Sequence, residues 1–326
     1  MSRWSRWVGL LDRREPAEAL AMYRIAIGLC LLYAVGTVWA GGLVEAIWMD
    51  IPYGGYRNVG NEAWLVELAG GASPEVVWPL VIGSVVAGLA IVLGVGGRLP
   101  ALVALLAFQN LGRINGHCGG SYDPLMTNAL WLLFLSDSTA TFSVDAWRRG
   151  ALWSGAQVPA WPRWLMMVQL VLLYASSGVH KVSADWVPGG DFSALYYILQ
   201  QPSWQRIPMD WLAPYFPITQ VMTASVWLFE VGSPLLWLAF WYRHTRSRPG
   251  WLRATFNRVD WRLLFAIFGL SMHVGIFALM EVGPFSWISM SLYISLFSGD
   301  EWARVLGGRG SEAAPAGQPQ GQPAAQ

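Results

Sequence analysis

Lysine is almost missing from this chain: of 21 Lys+Arg residues in 326, only Lys181 is lysine, and every other basic residue is arginine. Charge of either sign is scarce, 13% against 55% hydrophobic residues, which excludes an ordinary soluble domain. There are two cysteines, Cys30 and Cys118. Their expected depths in a membrane differ, which argues against a disulfide. His117-Cys118 has no second pair at ligand spacing, so no metal site is expected. A nucleophile elbow, a Walker loop and a Rossmann fingerprint are all lacking. The arginines follow loops rather than forming a stripe, and no nucleic-acid partner is expected.

What the chain has is apolar length, with 21 tryptophans, far above soluble usage. A hydrocarbon core of about 30 Å takes about 20 apolar residues to cross. Runs approaching that length lie at approximately 17–40, 77–97, 99–116, 122–137, 164–182, 216–242, 261–280 and 283–299. The expected fold is all-α, a polytopic transmembrane bundle of about eight spans. Residues 1–304 would form one membrane domain, and 305–326, rich in Gly, Ala, Pro and Gln, a disordered cytoplasmic tail. The first run is read as a retained span, because Arg24 interrupts it and it is too long for a secretory signal.

Arginine placement sets the expected orientation. Arg3, Arg6, Arg13 and Arg14 precede the first span, Arg148, Arg149 and Arg163 follow the fourth, and six arginines from Arg243 to Arg262 join the sixth to the seventh. The segment 41–76 instead carries Glu45, Asp50, Glu62, Glu67 and Glu75 against Arg57 alone. Both termini should then be cytoplasmic, in a multi-pass protein of the cell (cytoplasmic or inner) membrane whose first partner is the lipid bilayer.

Polar residues within spans are costly in lipid and mark interior or wet cavities. The rise of 1.5 Å per residue sorts them by depth. His117, Tyr174, Ser177, His180 and Lys181 fall in the outer half, with Asp123 and Asn128 at the start of span four. Tyr174, Ser177 and Lys181, spaced i, i+3, i+7, share one helical face. His180 points about 100° away from its neighbour.

Lysine, unlike arginine, can lose its proton when burial or a neighbouring cation favours the neutral amine, so it can act as a base. The alternative is a snorkelling cation at a helix end, with Asp185 as its partner and Trp186 as part of the aromatic belt. In the inner half, Arg24 lies about 10 Å along span one and Glu230 about 20 Å along span six from its outer start. Their depths coincide, which predicts a structural Arg24–Glu230 ion pair.

The segment Gln169-x4-Tyr174-x3-Gly178-Val179-His180-Lys181-x3-Asp185-Trp186-x2-Gly189 resembles the active-site segment of vitamin K-dependent γ-glutamyl carboxylase and its bacterial relatives with the horizontally transferred transmembrane (HTTM) domain. Tyr23-Arg24-Ile25, Asp123 before Leu132-Leu133-Phe134-Leu135, Glu230-x3-Pro234 with Arg243, and His273-Val274-Gly275-Ile276 are similar to its other landmarks in order and spacing. The likeness covers about residues 15–300.

That resemblance implies a chemistry. Lys181 would be the base that deprotonates a reduced vitamin K or menaquinol, with His180, His117 or Asp123 tuning it. O2 would attack the quinol anion, and the resulting alkoxide would remove a γ-proton from a glutamate. The carbanion would then take up CO2. Tyr174, Ser177, Asn128, Asp185, Trp186 and His273 would line the pocket, and a secreted peptide or protein would be the substrate. The animal carboxylase continues into a large lumenal domain that this sequence does not contain. Some stand-alone family members of similar length resemble the membrane protein that helps mature a secreted sporulation-delaying peptide toxin. The competing expectation is therefore a non-catalytic membrane accessory for maturation, export or immunity of a secreted peptide.

Overall fold

A computed structural model describes residues 2–56, 63–153 and 155–306. The expected tail lies, from residue 307 on, outside the described residues. Helix α1 (Arg3–Leu11) precedes the short strand β1 (Arg14–Pro16), and α2 (Glu18–Ala40) is the first long apolar helix. Two single-turn helices, α3 (Val44–Trp48) and α4 (Trp64–Leu68), lead to the long α5 (Pro74–Leu93). A tight turn joins α5 to α6 (Leu99–Ile114), followed by α7 (Tyr122–Leu135) and the short α8 (Val144–Arg148). Strand β2 (Gln157–Pro159) pairs antiparallel with β1 and starts α9 (Trp161–His180).

Beyond α9 come α10 (Ala194–Gln200), α11 (Phe216–Gly232) and α12 (Leu235–His244), the last two related by a bend of 52° across Gly232, Ser233 and Pro234. A short α13 (Trp251–Phe256) precedes α14 (Trp261–Leu279). Helix α15 (Phe285–Leu292) tightens into a 3-10 turn (Tyr293–Leu296), and α16 (Gly299–Val305) closes the described chain.

Each of the eight apolar stretches contains helix. Among the described residues, three helices can cross a membrane by length and apolarity (α2, α5 and α14), or four if the bent α11–α12 pair is one span. Helices α6 and α15 are apolar but shorter. The protein is thus helical and membrane-like, with little strand.

At the arginine-rich end, ion pairs join the elements in addition to apolar packing. Arg163 at the start of α9 meets Glu15 of β1 at 2.7 Å. Asp260 caps α14 and holds Arg262 at 2.7 Å, while Glu301 of α16 holds the same guanidinium at 2.8 Å. Glu301 also accepts the Ser298 backbone N–H in a capping box. Burial alone would raise its carboxyl, but Arg262 and that N–H outweigh burial and bring it down to about 2.

Arg24 corrects one sequence-based expectation. Its side chain is buried, and its guanidinium donates to the backbone carbonyls of Ser138, at 2.9 Å, and Phe142. It binds the irregular segment between α7 and α8, and Glu230 is bound elsewhere. Its hydrogen bonds go to the carbonyl oxygens of a loop, and not to Glu230.

Candidate functional site

The site grows from the last two turns of α9. Gly178 lets α11 come so close that a Cβ at this position would lie 2.7 Å from the Val231 backbone nitrogen. At that crossing Lys181 Nζ donates to both oxygens of Glu230, at 2.7 and 2.6 Å, and Ser177 Oγ donates to Glu230 Oε1 at 3.1 Å. The Lys181 ammonium also sits 4.2 Å from the Trp186 ring centroid, a cation–π contact from the segment following the helix. The Lys181 side chain is 20% exposed and that of Glu230 7%.

Depth arithmetic misplaced Glu230 because α11 overshoots α9. Ser233 Oγ donates to the Val171 carbonyl, whereas Thr223, less than three turns earlier, accepts the Leu195 N–H of α10, beyond the end of α9. Much of the 216–242 stretch therefore extends past Lys181. The bend after Gly232 then redirects the chain toward the arginine-rich end.

Lys181 and Glu230 stand in the wall of a cavity of about 570 Å³ between α9, α11 and α14. Its surface is overwhelmingly apolar. At its inner end Phe229 of α11 stacks on Phe265 and Phe268 of α14, with centroids 4.4 and 4.7 Å apart. Phe268 of that contact, together with Val221 and Met222 of α11, borders the cavity, and all three are exposed on the helix surfaces. The cavity thus opens sideways, between α11 and α14.

A second polar group lies in the same wall. Tyr174 Oη sits 2.6 Å from His273 Nε2 and 2.5 Å from Tyr293 Oη, all three side chains being buried. Of the sequence-predicted residues, Tyr174, Ser177, Lys181, Trp186, His273 and also Glu230 line this one cavity. Tyr293 was not anticipated. A tyrosine near the end of an apolar stretch reads as an interfacial anchor, and only the fold brings it against α9.

Four predicted tuning or lining residues, and one predicted ion-pair alternative, lie elsewhere. His117 is exposed, with its N–H on Asn115 Oδ1, and Asp123 Oδ2 accepts the Gly120 N–H within the turn joining α6 to α7. Neither borders the cavity. Asn128 lies in a separate cleft with Gln169 and Leu172. His180 is exposed and its Nδ1 meets the Ser176 carbonyl at 2.7 Å, facing away as the 100° offset requires. Asp185 accepts the Ser193 hydroxyl at 3.0 Å rather than pairing with Lys181. Depth along a helix had grouped these residues, but depth carries no information about direction around the bundle.

Fold and site together define a helical, membrane-like protein with an apolar cavity and, among the described residues, one charged pair in its wall. The chain belongs to the HTTM domain family, whose model matches residues 13–302, nearly the whole described chain. This is the carboxylase-associated family of membrane domains, consistent with the resemblance read from the sequence. No solved structure matches the chain.

Proposed function

We propose that this protein is a quinol- and O2-dependent membrane enzyme in which the Lys181–Glu230 pair is the base, and that it modifies a peptide or protein at the outer face. The observation that carries this reading is the sole lysine of the chain, hydrogen-bonded to a buried carboxylate in the wall of an apolar cavity between α9, α11 and α14. The pair is neutral overall at rest. Passing the ammonium proton to Glu230 frees a neutral amine, which takes the phenolic proton of a quinol held in the cavity. The O–H bond breaks, its electron pair stays on oxygen, and the pair gains one positive charge beside the phenolate. No unmatched charge is left in the apolar wall. O2 is the oxidant of the resulting anion, and CO2 the co-substrate if carboxylation follows. In the eight-span orientation read from arginine placement, this site would lie in the outer half, where an exported peptide would meet it.

The test is O2 uptake by the purified full-length chain in nanodiscs with a short-chain naphthoquinol. Quinol-dependent uptake is expected, with at least a hundredfold loss in Lys181→Arg, because a guanidinium keeps its proton. Added small amines should partly restore Lys181→Ala. Absence of uptake leaves the accessory reading, in which the close ion pair only ties α9 to α11, and uptake that survives Lys181→Arg refutes the lysine base.

A further inference from the structure

We infer that His273 is the second anchor of the cavity, holding the oxygen of a 1,4-dihydroxylated aromatic ring opposite the one that meets Lys181 and Glu230. The inference rests on the quinol reading above and adds a positional requirement to it. Most polar groups in the wall have their hydrogens committed. Ser177 donates to Glu230, Thr223 to the Thr219 carbonyl and Ser225 to the Val221 carbonyl. Tyr174 has one hydroxyl proton for two close contacts, His273 Nε2 and Tyr293 Oη, so its donor is spoken for in either arrangement.

His273 differs. It is 1% exposed, it lines the cavity, and its Nδ1 is a buried polar atom with no hydrogen-bond partner. A buried ring nitrogen without a partner is costly, and it is retained where a ligand or water completes it. The Tyr174 contact fixes the imidazole from its Nε2 side and sets which nitrogen carries the proton. Whichever tautomer that is, Nδ1 keeps one unused capacity, donor or acceptor, and a phenolic hydroxyl supplies the complement of either.

Spacing agrees. Tyr174 and Lys181 are seven residues apart on one face of α9, about 10 Å along its axis. A ring with para oxygens and a hydrogen bond of about 2.8 Å at each end spans a length of that order. The two poles therefore select a 1,4-diol over a mono-phenol of the same shape.

The experiment uses the full-length chain in nanodiscs and reads quenching of tryptophan fluorescence by two probes, 2-methyl-1,4-naphthoquinol and 2-methyl-1-naphthol, under anaerobic conditions. Wild type should bind the diol about five- to tenfold more tightly, the worth of one hydrogen bond. In His273→Gln the amide reaches the Nε2 position and keeps the Tyr174 contact but leaves nothing at Nδ1, so the ratio should fall to about one. In His273→Asn, whose amide sits where Nδ1 was, the ratio should largely return. If His273→Gln fails to fold, Tyr174→Phe, which releases the imidazole, should lower the same ratio. A diol preference unchanged in the variants overturns the second anchor while the Lys181 chemistry stands. Failure of wild type to bind either probe overturns both.

Discussion

Replacing Glu230 by glutamine tests what the Lys181 pair contributes. In the intact protein two contacts of 2.7 and 2.6 Å join an ammonium that is 20% exposed to a carboxylate that is 7% exposed. Removing one partner of a buried pair costs about 3–5 kcal/mol, because the other charge is left without compensation. Partial exposure and the Trp186 ring 4.2 Å away soften that loss, so about 2–3 kcal/mol is expected. Replacing both partners by uncharged groups of similar volume removes the stranded charge. Lys181→Met with Glu230→Gln should thus recover most of the stability lost in Glu230→Gln alone. Thermal unfolding of detergent-solubilised single and double variants, with O2 uptake on the folded fractions, separates the two roles. Stability should return in the double variant and turnover should not. Glu230→Gln as stable as wild type, or a double variant no more stable than the single one, would refute the pairing argument.

Gly178→Ala puts a methyl group 2.7 Å from the Val231 nitrogen, so α11 must shift. A loss of about 1–3 kcal/mol is expected in thermal unfolding, with weakened O2 uptake although no cavity-lining side chain is altered. Glu301, held down to about 2 against an ordinary value of 4.5, contributes stability that is present above about pH 4.5 and lost as pH falls toward 2. The shift corresponds to on the order of 3 kcal/mol, so Glu301→Gln should flatten the acid limb of a stability–pH profile in that window. A reporter active only in the cytoplasm, fused after Arg304, should be active if the span count is even, and silence would overturn the eight-span orientation.

Sequence periodicity reached the local geometry and stopped at the tertiary one. Tyr174, Ser177 and Lys181 share a face because helical spacing is fixed by the backbone, and all three line the cavity. The apolar stretches likewise fell where helices form, since chain-internal hydrogen bonding is the main way to satisfy backbone groups in lipid. Apolar length alone makes residues 216–242 one straight span and so hides the partner of Glu230, because the first half of that run overshoots α9 and the chain bends at Gly232 to Pro234. His117 and Asp123 were grouped with Lys181 by depth alone, and the contacts within the α6–α7 turn that hold Asp123 are invisible to that arithmetic. Arg24 was assigned a carboxylate because backbone carbonyls leave no trace in composition.

The sideways mouth between α11 and α14 alters what a binding constant means for this protein. A hydrophobic ligand that reaches the cavity through lipid is drawn from a two-dimensional solvent. Occupancy then follows its mole fraction in the bilayer rather than its amount per litre. Adding lipid at constant ligand dilutes the ligand as surely as adding water does for a soluble receptor. Titrations at different lipid-to-protein ratios should superimpose only when plotted against ligand per lipid.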